Sequence, residues 1–420
     1  MPQIPPLPTL PLQLMLSLGC WLSSPFALQC AKSAWPPLNN KAISPAENEA
    51  LQQAVSEEAR NRASNLLAGI LRYYDAPQAR HAQEPPCIWR RGNARLLDYG
   101  SRDYRERRDY RDHREENHTT TTTATITTAT MNPIVLFIPS LINRYYILDL
   151  EEERSMLRFL SRQGIYPLVL DWGEPGSFEQ AFGCADYIMQ ILCPAIDFIS
   201  EIAHQPILLA GYCMGGNMAL AATQLRQKSI SALALFATPW DFHCKAFLPF
   251  VVDTQWLPMI ESLIAAQNSL PADRIQSLFY MTDPWVFEHK FRRFADLPPD
   301  SRAARDFVVL EHWVNDGVPM TANVARDCLI GWAQENQLSN GRWTVDGKKI
   351  DPRKLKLPTF IAIPQNDHVV PLECALPLAN AMPHAHIAHP RSGHVGMIVG
   401  THAKKELWQP FARWVLQQHP

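Results

Sequence analysis

From residue 132 onward, short apolar runs alternate with stretches of helical spacing. The runs are Ile134–Pro139, Tyr166–Leu170, Pro206–Ala210, Ala232–Phe236, Thr359–Pro364 and His384–Ala388. Their length and unbroken apolar character suit strands buried on both faces. Between them, 148–163, 178–199, 217–225 and 402–417 carry the spacing of amphipathic helices. The first of these helices is expected to open on Asp149 and Glu151–Glu153, where acids complement the positive helix end. Strand-helix alternation of this kind predicts an α/β fold, a mostly parallel doubly wound sheet.

The pattern has two flanks and one interruption. Upstream, Glu47–Asp75 is a helix, with Leu51, Val55, Ala59, Ala63, Leu66, Ile70 and Leu71 among its apolar positions. Cys87–Leu97 reads as a hairpin turning at Gly92-Asn93. From Asp241 to Pro352 the alternation lapses. Trp240, Trp256, Trp285, Trp313, Trp332 and Trp343 fall there or at its edge, among helical stretches, which predicts a helical cap inserted between two strands. Residues 101–131 differ from everything around them. Arginines at 102, 105, 107, 108, 111 and 114 are balanced by acids at 103, 106, 109, 112, 115 and 116, and a threonine-rich tract follows. Neither piece can bury a face, so a low-complexity, disordered insertion is expected. The organisation is therefore an N-terminal segment 1–100, an insertion 101–131, a core 132–240, a helical cap 241–355 and a second core part 356–420.

Composition narrows the function. The 420 residues are 46% hydrophobic, enough for a full core, and the net charge is −2. That balance offers no basic surface for nucleic acid, and the neutral arginine tract does not change this. Nine cysteines are scattered without a C-x-x-C pair, which fits free thiols in a reducing cytoplasm. The first 31 residues carry no charged side chain. A signal peptide would want a basic start. The apolar stretch Leu12–Leu28, preceded by Pro11 and interrupted near its far end by Pro25, is marginal for spanning a bilayer. A helix packed on the protein body is expected, with association with a membrane or lipid surface as the alternative.

The chemistry centres on Gly211-Tyr212-Cys213-Met214-Gly215-Gly216. Strand before and helix after make this G-x-C-x-G a nucleophile elbow with cysteine in the place of serine. Gly211 and Gly215 leave room for a tight turn. In the α/β-hydrolase fold an acid and then a base follow the nucleophile in chain order. Asp367 lies just past the strand Thr359–Ile363, and His394 lies in the glycine-flanked loop Ser392–Gly396. His394 is expected to take the Cys213 proton, and Asp367 to hold its tautomer. Oxyanion donors are expected from the N–H of Met214 and from the loop Ser140–Asn143, with Ile142 as the candidate there. His368 is a candidate auxiliary acid or base. His384 and His386 would share a strand face, but no carboxylate or cysteine nearby completes a ligand set, so no metal is expected. A thiolate exchanging acyl groups with a thioester keeps the acyl group activated, which suits transfer from coenzyme A to an alcohol.

With these residues placed, the chain resembles the polyhydroxyalkanoate synthases, closest to the class III catalytic subunit. The likeness runs from about Ile134 to the C-terminus. Ile142-Asn143-Arg144-Tyr145-Tyr146-Ile147-Leu148-Asp149, Asp171-Trp172-Gly173, the cysteine box, Asp367-His368-Val369-Val370-Pro371 and Gly393-His394-Val395-Gly396 carry it. The resemblance implies an α/β-hydrolase fold and a Cys213 acyl-enzyme. It implies polymerisation of 3-hydroxyacyl-CoA with release of coenzyme A, the thioester being the substrate and no cofactor being needed. It further implies a cytoplasmic protein at polymer granules, a homodimer, and a second synthase subunit. The chain departs from the family at Glu174-Pro175-Gly176 and at Trp313–Pro319. A thioesterase or polyester depolymerase using the same three residues is the alternative function.

Overall fold

The computed structural model describes residues 7, 9–24, 44–77, 82, 84–100, 132–245, 257–280 and 285–418. The expected insertion 101–131 lies outside them, as do Trp256 and the end of the apolar N-terminal stretch. The chain forms two compact units, one of residues 1–80 with 276–315, the other of 81–275 with 316–420. This corrects the single cap expected over 241–355. Its central part belongs with the N-terminal residues, and its two ends belong with the sheet.

The first unit is helical. Its long helix, Pro45–Asp75, starts two residues before the apolar periodicity does. Ser44 and Glu47 form a capping box there, and Pro45 is preset for the first turn. Ala59, Leu66, Ile70 and Tyr73 face a core with Phe287, Phe291 and Phe294. Leu71, expected on that face, is 64% exposed, because its neighbour Ile70 occupies the inward position. The helix Val286–Asp296 crosses so closely that a Cβ at Gly69 would lie 2.1 Å from the Phe291 carbonyl oxygen. Arg72 donates to the carbonyls of Phe294 and Leu297 at 2.7 and 2.6 Å, satisfying the end of that crossing helix. The uncharged N-terminal segment forms the helix Leu10–Leu22. No helix among the described residues is long and apolar enough to cross a membrane.

The second unit is built on an eight-stranded sheet. Its strands are β1 (Cys87–Arg91), β2 (Ala94–Asp98), β3 (Ile134–Ile138), β4 (Tyr166–Asp171), β5 (Ile207–Tyr212), β6 (Ile230–Phe236), β7 (Thr359–Ala362) and β8 (His386–Ala388). The order is β1-β2-β4-β3-β5-β6-β7-β8. The hairpin β1–β2 joins β4 antiparallel, and all later pairings are parallel. Every residue of β3, β4 and β5 is buried, as strands covered on both faces require. The register sets Ile138 beside Gly211 and Tyr212 beside Phe236. It therefore brings the ends of β3, β5 and β6 to one edge, where this architecture places its ligands.

Three expected elements have different bounds. The helix expected over 148–163 is only Met156–Arg162, capped by the Ser155 hydroxyl. The acids do not lie in its first turn. Asp149 is fully buried instead, taking Arg158 at 2.7 and 3.0 Å and the Tyr99 hydroxyl at 2.8 Å. The helix expected from Phe178 begins at Cys184 and passes through a π turn, Ile188–Leu192, into Cys193–Ala203. The last strand holds only His386–Ala388, so His384 and His386 do not share a strand face.

Candidate active site

Cys213 sits between β5 and the helix Met214–Leu225, at φ 55° and ψ −128°. This is a strained backbone for a residue with a Cβ, and the surrounding structure enforces it. The Cys213 N–H donates to the Phe236 carbonyl at 2.8 Å, which ties the turn to β6. A Cβ on Gly215 would stand 2.1 Å from the Ile138 carbonyl oxygen and 2.5 Å from that of Pro139. One on Gly211 would stand 2.4 Å from the Gly216 Cα. The helix start thus presses against the end of β3, and only glycine permits the approach. The thiol remains partly exposed at this edge.

Asp367 and His394 arrive from loops beyond β7 and β8. The two loops are tied by the Asn366 N–H donating to the Ser392 carbonyl at 3.1 Å. The buried Asp367 carboxylate is fully engaged. Its Oδ1 accepts the N–H groups of Val369 and Val370, both at 2.8 Å, and its Oδ2 lies 2.8 Å from His394 Nδ1. With Nδ1 committed, the other ring nitrogen is left for the Cys213 sulfur, which interacts electrostatically with the ring. Burial works against a charge on His394, yet the Asp367 carboxylate and the Cys213 sulfur push its pKa up from 6.5 to about 10. The imidazole is thereby favoured as an imidazolium beside the Cys213 sulfur.

Tyr212 is part of this site and carried no signal in the sequence beyond its place in the cysteine box. Its ring lies 5.0 Å from that of His394, and its hydroxyl donates to the His394 carbonyl at 3.2 Å. It holds the histidine loop from below. Burial, then the nearby Cys213 and Asp367, push its phenol far above the ordinary range, so it stays neutral.

The other expected residues fall as follows. Met214 is buried at the first position of the elbow helix, where its N–H belongs to the unpaired helix start. Ile142 lies in the loop after β3, but its N–H donates to the Ser140 hydroxyl at 3.3 Å and its carbonyl accepts from Val318 N–H at 2.9 Å. An oxyanion would have to displace the weak Ser140 bond. His368 is exposed, on the outer side of the Asp367 turn. Asp171 of the Asp-Trp-Gly segment is structural, since Arg95 of β2 binds it at 3.0 and 2.6 Å. Trp172 donates from Nε1 to the Pro139 carbonyl at 2.9 Å and so braces the loop after β3.

A parallel sheet carrying a strained Cys213 turn, with acid and base from the last two strand loops, defines an α/β-hydrolase architecture. Residues 135–406 match the model of the alpha/beta hydrolase family, and the chain belongs to that family. Among curated proteins it is similar to the poly(3-hydroxyalkanoate) polymerase subunit PhaC of Haloarcula marismortui. The two are 28% identical over 285 residues, 67% of this chain and 60% of that protein. The subunits of the same name from Allochromatium vinosum and Synechocystis are 25% and 26% identical, covering 67% and 68% of this chain and 80% and 79% of theirs. The chain spans about 60% of the length of the haloarchaeal relatives. Among solved structures it is similar to a thioesterase domain from the curacin biosynthetic pathway, at TM-score 0.45 and 16% identity over 80% of this chain and all of that domain.

Proposed function

We propose that the protein is an acyltransferase that polymerises 3-hydroxyacyl-CoA into polyhydroxyalkanoate through an acyl-enzyme on Cys213. The observation that carries this reading is the His394–Asp367 hydrogen bond beside a strained elbow that bears a thiol, not a hydroxyl, at Cys213. The names of the PhaC relatives supply the substrate class.

The chemistry follows from the geometry. The Cys213 thiolate attacks the thioester carbonyl and forms the new C–S bond. The oxyanion draws on the Met214 N–H and a donor from the loop 140–143. The C–S bond to coenzyme A breaks, and His394 supplies the proton the leaving thiolate takes. His394, now neutral, accepts the proton of the 3-hydroxyl of an incoming unit. That oxygen attacks the enzyme-bound acyl group, a C–O ester bond forms, and Cys213 leaves as thiolate. Asp367 keeps the ring tautomer correct throughout. No step calls for a metal or cofactor.

The same reading includes a cytoplasmic protein at the polymer granule surface, acting as a homodimer and with a second synthase subunit. The test supplies 3-hydroxybutyryl-CoA to purified protein and follows coenzyme A and polymer together. Release of both supports the proposal, whereas coenzyme A with free 3-hydroxybutyrate alone assigns the site to a hydrolase. Size-exclusion chromatography with and without substrate reports the oligomer.

A further inference from the structure

The loop after β3 is held from two sides by residues that the Cys213–His394–Asp367 series does not include. Its Pro139 carbonyl abuts the elbow helix at Gly215, so any shift of this loop moves the oxyanion donors relative to Cys213. On the outer side the loop runs antiparallel to residues 316–318. Val318 N–H donates to the Ile142 carbonyl at 2.9 Å, and Asn143 bridges Gly317. Asp316 fastens this pairing with both carboxylate oxygens. Oδ1 accepts from Arg144 Nε at 3.2 Å, and Oδ2 accepts from the Tyr146 hydroxyl at 2.8 Å. Arg144 also pairs with Glu174, beyond the Asp-Trp-Gly turn. Glu174 and Asp316 both lie in the two segments where the chain departs from the family it resembles. One arginine therefore joins the two departures to the loop beside the nucleophile.

We propose that Asp316, gripped by Arg144 and Tyr146, is a positioning residue that holds the loop 140–143 in register with Cys213 for oxyanion stabilisation. The inference rests on the proposed acyl transfer at Cys213. Asp316 and Arg144 are 36% and 23% exposed, so their pairing adds little to global stability. Its effect is on placement. An oxyanion donor acts only within about 2.7–3.1 Å of the developing charge, and a displacement of about 1 Å costs roughly 100-fold in rate.

The test separates two reactions of the same thiol. Acylation of Cys213 by p-nitrophenyl butyrate passes through an oxyanion, whereas alkylation by iodoacetamide does not. Asp316→Ala is expected to slow the acylation burst about 10- to 100-fold while alkylation stays within about two-fold of wild type. Asp316→Asn, which keeps one acceptor oxygen, is expected to fall between the two. Equal losses in both reactions, or no loss in acylation, overturn the proposal. The ester probe also separates this inference from the polymerase reading. A wild type that the ester acylates but that makes no polymer leaves Asp316 in this role and ends the polymerase reading. A wild type that is not acylated at all ends both.

Discussion

Three hydrogen bonds end on the Asp367 carboxylate, and one of them fixes His394 against the Cys213 sulfur. Removing the sulfur removes the nucleophile, so Cys213→Ala is expected to lower thioester turnover by about 10⁴-fold or more. Asp367→Asn keeps the shape but loses the charge that stabilises the imidazolium. A loss between about 10² and 10⁴-fold is expected in the same coenzyme A release assay. The thiols also differ in reactivity. Burial pushes Cys193 up to about 11 and holds Cys184 well above its ordinary value, whereas Cys213 faces an imidazolium and is partly exposed. Limiting iodoacetamide at pH 7.5, followed by peptide mapping, should label Cys213 well before Cys184 or Cys193. Equal labelling of the three would contradict this order of reactivity. His368 was legible as a candidate only because it adjoins Asp367, and its exposure shows how little adjacency in sequence says about direction in space.

At the scale of elements, the elbow is a junction of three strands and one helix. The start of the helix Met214–Leu225 sits on the end of β3 with no room for a methyl group at Gly215. The atom in the way is a backbone carbonyl oxygen, which cannot rotate aside. Gly215→Ala is therefore expected to destabilise the protein by about 3 kcal/mol or more, read from the urea midpoint. A change within about 0.5 kcal/mol would show that β3 and the helix can separate freely. The strands and the elbow helix were legible because their signals are local, a continuous apolar run and a glycine turn. The helix after β3 was not, because its acids looked like a helix start. Burial decided otherwise, as Arg158 and Tyr99 draw Asp149 inward and Ser155 takes the cap. Propensity and charge complementarity are weak priors against a buried carboxylate held by Arg158, nine residues on, and by the Tyr99 hydroxyl, fifty residues back.

At the scale of the molecule, the site couples to stability through its proton. Folding raises the His394 pKa from 6.5 to about 10. Between those values the native state holds a proton that the unfolded chain has lost. The stabilisation is complete below pH 6.5 and disappears as the pH rises to about 10. Within that window stability falls by up to about 1.4 kcal/mol per pH unit. Urea midpoints measured from pH 7 to 10 should therefore decline for wild type and decline less for His394→Gln. Parallel curves would mean that the imidazole is neutral in the folded protein. The amino-acid sequence by itself determined the parallel sheet, the cysteine turn and the chain order of Cys213, Asp367 and His394. Each is written in neighbouring residues, as apolar periodicity or turn chemistry. Only the tertiary structure decided that 276–315 belongs with residues 1–80, that Tyr212 supports His394, and that Asp316 fastens the loop beside the elbow. Those pairings join residues 170 to 225 positions apart, and side-chain reach across a fold leaves no period in the chain that makes it.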